Sequence, residues 1–142
     1  MKRNRLTAAA LFTLALLAAT AVPSTVSAQS QLATSEARTF IGSWVLSFSS
    51  DMGPFSMNVE IRDMGGKVAA TLNQADMGMQ QEVTDIAKSG ESLVLSFDGD
   101  FQGQAFSAAI SIEPPTGNES AAYFDINQGQ FGMAGTATKS GS

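Results

Sequence analysis

Residues 40–48 read Phe40-Ile41-Gly42-Ser43-Trp44-Val45-Leu46-Ser47-Phe48, and the tryptophan is the only one in the 142-residue chain. From Gly42 onward apolar and polar residues alternate, which is the period of a strand with one buried face. Trp44, Leu46 and Phe48 share that face. The same alternation then recurs to the end of the sequence, interrupted at regular intervals by turn-forming residues.

The next strand is the clearest. Over 55–62, Phe55, Met57, Val59 and Ile61 alternate with Ser56, Asn58, Glu60 and Arg62. Asp51-Met52-Gly53-Pro54 and Asp63-Met64-Gly65-Gly66 flank it as turns. Further strands are expected over 67–73, about 79–87, 92–98, 101–112, 120–127 and 131–139. The one over 79–87 alternates poorly. Asp98-Gly99-Asp100, the double-proline run 114–118 and Gln128-Gly129-Gln130 are expected to turn the chain.

Eight strands joined by short connections must lie antiparallel to their neighbours. The expected fold is therefore all-β: an eight-stranded antiparallel up-and-down barrel over residues 40–140. Closure removes the two open edges that a flat meander would keep. A two-sheet sandwich is the alternative, because its inner faces have the same sequence pattern. The repeated Asp-Met-Gly at 51, 63 and 76 falls at near-hairpin spacing and reads as recurrent turn chemistry. A membrane-spanning barrel fits poorly, since the outward face of the second strand carries Glu60 and Arg62.

Residues 1–28 have the three parts of a secretory signal peptide. Lys2, Arg3 and Arg5 form a charged start, 6–22 is apolar, and Val26-Ser27-Ala28 offers small residues for cleavage after Ala28. The mature protein is then expected in the periplasm or outside the cell, with no stable membrane insertion. Residues 29–39 form a leader or a short helix capped by Ser30. Removal of the signal leaves five basic residues against 13 acids, a net charge of −8. Such a surface argues against nucleic acid as a partner.

Phe40, Gly42 and Trp44, followed by a meander, resemble the opening of the calycins, the group of lipocalins and fatty-acid-binding proteins. In those families a Gly-x-Trp begins the first strand, and a basic residue ending the last strand packs across the tryptophan. The resemblance implies that role for Lys139. Topology agrees, because the last strand of a closed meander runs beside the first and opposite to it. Gly42, Trp44 and Lys139 are accordingly assigned to structure at the closed end. A narrower likeness, through Gly42-x-Trp44, Gly66 to Leu72, Asp85-Ile86, Ser92 to Phe97 and Gly135-Thr136, is to a small exported bacterial barrel domain often found beside α/β-hydrolase domains. No hydrolase segment follows in this sequence, so that activity does not carry over.

The chain has no histidine and no cysteine. A Ser-His-Asp triad, imidazole acid–base chemistry, thiol nucleophiles and His- or Cys-ligated metal are therefore outside its repertoire. The expectation is a non-catalytic protein without a cofactor or metal. Asp98-x-Asp100-x-x-Gly103 matches part of a calcium loop but lacks its closing glutamate.

Four of the connections lie at one end of the meander, the open mouth in calycins. They and the adjoining strand ends bring Met52, Phe55, Met57, Met77, Met79, Phe101, Phe131 and Met133 together with Asp51, Asp76, Asp98 and Asp100. Pliable methionine and phenylalanine around a mouth suit an apolar guest. The acids favour a neutral or cationic one. The leading expectation is binding of a small apolar molecule by the eight named residues. The alternative is a solid-core protein–protein interaction or scaffold module of the cell envelope, with Trp44, Phe48, Phe97 and Phe124 filling the interior and no protein partner named by the sequence. A third reading, a carboxylate enzyme, requires a buried acid in a cavity. A cavity of a few hundred cubic ångströms opening at Met52, Met77 and Phe131 separates the first reading from the second.

Overall fold

The computed structural model describes residues 30–141. The expected signal peptide and its cleavage point lie outside the described residues.

The strands are β1 (Gly42–Ser50), β2 (Gly53–Met64), β3 (Lys67–Gln74), β4 (Met79–Val83), β5 (Asp85–Ser89), β6 (Ser92–Phe101), β7 (Gln104–Ile112), β8 (Glu119–Ile126) and β9 (Phe131–Lys139). They form one antiparallel sheet in the order β4-β3-β2-β1-β9-β8-β7-β6-β5. Because β4 and β5 are consecutive in the chain, the two sheet edges return to each other. The result is a nearly closed up-and-down barrel, and the sandwich alternative does not occur.

Nine strands replace the expected eight, and the reason lies in four residues. Val83 and Ile86 are both buried, with exposed Thr84 and Asp85 between them. Two inward residues three apart cannot belong to one regular strand, whose faces repeat every two. The expected fourth strand therefore breaks at Thr84. Its first half pairs with β3, from Gln74↔Met79 to Ala70↔Val83. Its second half pairs with β6, from Asp85↔Ser96 to Ser89↔Ser92. A seam is left between β4 and the mouth half of β6, where the amide side chain of Gln81 donates to the Asp98 carbonyl at 2.6 Å.

A second correction concerns the hairpin after β6. Asp98-Gly99-Asp100, expected to turn, continues the strand to Phe101↔Gln104. The turn is made by Gln102 and Gly103, with φ of 53° and 79°. Positive φ at both central positions matches the right-handed twist of the flanking strands. The Asp100 carboxylate accepts from the Gly103 amide at 2.9 Å, and Asp98 accepts from Ser107 Oγ at 2.7 Å. The partial calcium-loop pattern is thus spent on turn and cross-strand bonds.

The closed end is built by the segment before β1. Its two 3-10 turns, Thr34–Glu36 and Arg38–Phe40, replace the single helix that was one of the two expectations. Ser30 caps neither. Its hydroxyl donates to the Val68 carbonyl at 2.7 Å, and backbone bonds tie Ser30, Leu32 and Thr34 to β3 and its preceding turn. Phe40 and Ala37 are buried and join Trp44, Val68, Leu93 and Ile112 in the core. The indole Nε1 of Trp44 donates to the Phe40 carbonyl at 2.7 Å. No buried side-chain nitrogen or oxygen among the described residues lacks a hydrogen-bond partner. No helix among them is long and apolar enough to cross a membrane.

Candidate functional site: the barrel mouth

Four connections, β1–β2, β3–β4, β6–β7 and β8–β9, converge at the end opposite Phe40. The inward positions below them are filled progressively. Trp44, Leu46, Leu95 and Ile110 close the lower barrel and are fully buried. One layer higher, Phe48, Phe55, Phe97 and Phe124 form an aromatic floor. Phe48 and Phe55 stack with centroids 5.3 Å apart, and Phe124 contacts Phe48, Phe55 and Phe97 at 5.7, 6.0 and 6.4 Å.

Above this floor the barrel is not filled. An open cavity of about 600 Å³ occupies the mouth. All eight residues expected there line it: Met57 and Phe55 from β2, Met79 from β4, Met133 from β9, and Met52, Met77, Phe101 and Phe131 at the rim. Each of the four connections presents one of the last four, and these are among the large apolar side chains that remain exposed. Met52 is 97 % accessible and Phe131 61 %. Among the described methionines, only Met64 lies away from the cavity.

The sequence reading missed part of the wall. Phe97, Phe106, Phe124 and Leu72 also line the cavity. Their inward phase was legible, but their height in the barrel was not. Gly99 explains how Phe106 reaches the mouth: the ring lies where a Cβ on Gly99 would come within 2.5 Å. The polar groups facing the cavity are amides and hydroxyls, with Asn73, Gln74, Gln104 and Asn127 near the rim. Asp100 is the one charged residue in its lining among the described residues.

Acids stand at both ends of the barrel, but the basic residues keep away from the mouth. Asp51, Asp76 and Asp100 stand at the mouth, with Asp98 and Asp125 on adjoining strand ends. The described basic residues Arg38, Lys67, Lys88 and Lys139 border the closed end. Arg62, two residues from the closed end of β2, is paired on the outer wall with Glu82 at 3.0 Å and donates to Thr71 at 2.6 Å. As expected from sequence, it does not enter the interior.

A second, smaller cleft of about 250 Å³ lies over the seam, between Thr84, Asp85, Ser96 and Asp98. Phe97 lines both spaces and so separates them. At the closed end, Lys139 Nζ lies 5.3 Å over the Trp44 ring, the contact implied by the calycin likeness. Lys88 stands 5.1 Å over Phe40, a second such contact that the sequence did not announce. Both belong to the floor of the barrel and neither touches the cavity.

Comparison of the chain with protein-family models, curated proteins and solved structures gives no significant match. The reading of the site therefore rests on its own geometry.

Proposed function

We propose that this chain is an exported, lipocalin-like barrel that binds a small apolar molecule, neutral or cationic, without catalysing its conversion. One observation carries the reading. Fully buried side chains close the lower barrel, yet the upper barrel holds an open cavity of about 600 Å³ walled by phenylalanine and methionine. That volume falls within the span of about 300–1,000 Å³ typical of small-molecule sites. Four apolar side chains left at the rim of a small protein represent a cost in water that a bound guest removes. Methionine suits such a wall, because its unbranched, polarisable side chain adapts to more than one guest shape.

A fluorescent apolar probe, N-phenyl-1-naphthylamine, tests the reading directly, beside native mass spectrometry of protein purified from its own cell envelope. Saturable probe binding and a co-purifying apolar compound, both lost in Met77→Asp and Phe131→Asp, support it. Both positions are exposed, so these variants keep their fold. A bare polypeptide mass with no probe response overturns it. The interaction-module reading then gains ground, with Tyr123, 46 % accessible on the outer wall of β8, as the first position to probe for a protein partner.

A further inference from the structure

We propose that the guest is a cationic amphiphile: an apolar body that enters the cavity and an ammonium-type group that stays at the rim. This inference rests on the reading of the cavity as an apolar-guest site and adds the charge and orientation of what it takes.

Three independent features of the mouth agree. First, no lysine or arginine among the described residues lines the cavity, and those present lie toward the opposite end of the barrel or on its outer wall. A carboxylate or sulfonate guest meets no counter-charge there. Second, the rim carboxylates are uncompensated. Asp51 and Asp76 are exposed, and neither makes a side-chain hydrogen bond or an ion pair among the described residues. Asp100 accepts from the Gly103 amide alone. Negative charge around a low-dielectric opening concentrates cations and repels anions. Third, aromatic rings stand at the rim itself as well as in the wall beneath. Phe101 and Phe131 reach the rim beside the carboxylates, and rings there attract an organic cation that stays at the opening. The same contact operates at the other end of this barrel, between Lys139 and Trp44.

The geometry also sets the direction of entry. The cavity floor is Phe55, Phe97 and Phe124, and the carboxylates stand in the turns or, for Asp100, at the mouth end of β6. The apolar part goes in first, and the charge remains beside Asp51, Asp76 and Asp100, where it keeps much of its hydration.

The test uses three ten-carbon amphiphiles: decyltrimethylammonium and decanesulfonate below their critical micelle concentrations, and decanol below its solubility limit. Each displaces N-phenyl-1-naphthylamine from the protein. The expected result is roughly ten-fold tighter displacement by the ammonium than by the sulfonate, consistent with a few partly screened charges. The gap shrinks when NaCl is raised from about 20 to about 300 mM. It also shrinks in the triple variant D51N/D76N/D100N, where the ratio of the two ions is read rather than either affinity alone. If no probe or amphiphile binds, the cavity reading itself fails and this inference with it. If decanol binds but the ammonium is not preferred over the sulfonate, the cavity reading stands and the cationic guest is overturned. A preference that survives both high salt and the triple variant overturns it as well. The salt series on unaltered protein decides the matter should the triple variant fail to fold.

Discussion

Lys139 and Gly42 are locked together at the closed end of the barrel. The lysine stem crosses β1 so closely that a Cβ on Gly42 would lie 2.6 Å from Lys139 Cε, while its ammonium rests over Trp44. Gly42 also has φ of 135°, a backbone conformation that side chains disfavour. The spacing Gly-x-Trp thus has a physical meaning here: the glycine vacates the path along which the lysine reaches the indole. Trp44↔Lys139 is a direct register pair of β1 and β9, so the contact also fastens the first strand to the last.

Gly42→Ala is expected to lower stability by more than the roughly 1 kcal/mol of an ordinary glycine effect, because backbone strain adds to the loss of the Lys139–Trp44 contact as the flexible lysine end moves aside. Lys139→Ala is expected to cost about 1 kcal/mol through the lost cation–π contact and stem packing. The double variant should be more stable than the sum of the two predicts, since the same Lys139–Trp44 contact is lost only once. Urea unfolding followed by the fluorescence of Trp44, the sole tryptophan, measures all three. Strict additivity would remove the steric link.

Phe40 plugs the closed end while its carbonyl holds the indole N–H. Phe40→Ala is expected to cost about 3–5 kcal/mol, as for other large buried aromatics. It should also shift Trp44 emission to longer wavelength as water reaches the ring. An unchanged midpoint would mean that the segment before β1 does not seal the barrel in solution.

Gly135 sits opposite Phe48 in the β1–β9 register. A Cβ there would meet the Ser47 carbonyl oxygen at 2.2 Å and the Phe48 ring at 2.5 Å. Gly135→Val should therefore displace Phe48 from the aromatic floor. The expected signature is a loss of about 1–3 kcal/mol by overpacking, accompanied by weaker apolar-probe binding. Gly65→Ala is a comparison with no such contact, since a Cβ there meets nothing within 4 Å. Its effect is confined to the cost of its φ of 63° and leaves probe binding intact.

The seam should open before the rest of the barrel. Backbone pairing runs along β5 and β6 up to Asp85↔Ser96 and ceases beyond it, where the side chain of Gln81 spans the gap to Asp98. Hydrogen exchange is expected to be faster at the seam-facing amides of β4 and of the mouth half of β6 than at those shared by β5 and β6. Gln81→Ala should accelerate the first group at least several-fold and leave the second unchanged. Equal protection in both groups would show that the barrel closes fully in solution.

How far the sequence speaks for itself differs between parts of the molecule. Strand phase was legible because it is local: Phe55, Met57, Val59 and Ile61 announce their common face to any reader of period two. The residues of the mouth were legible for a related reason. Once connections alternate between two ends, Met52, Met77, Phe101 and Phe131 must share one of them. Even the break at Thr84 left a trace in the poor alternation of 79–87, although its meaning waited on seeing Val83 and Ile86 both turned inward.

Three things were decided only by tertiary structure. Where the hairpin after β6 turns depends on which pair, Asp98-Gly99 or Gln102-Gly103, lets Gly99 face Phe106, and that is a cross-strand contact. Whether an eight- or nine-stranded barrel is hollow depends on the height at which each inward ring settles, which periodicity does not encode. Phe48, Phe55 and Phe124 settle low enough to contact one another, and the space above them stays open. The segregation of lysine and arginine from the mouth likewise exists only once the chain is folded, because positions distant in sequence share an end of the barrel through strand reversal. Alternation along a strand is set by backbone geometry residue by residue, whereas a cavity and a field are sums over many strands, fixed only when the strands have closed around them.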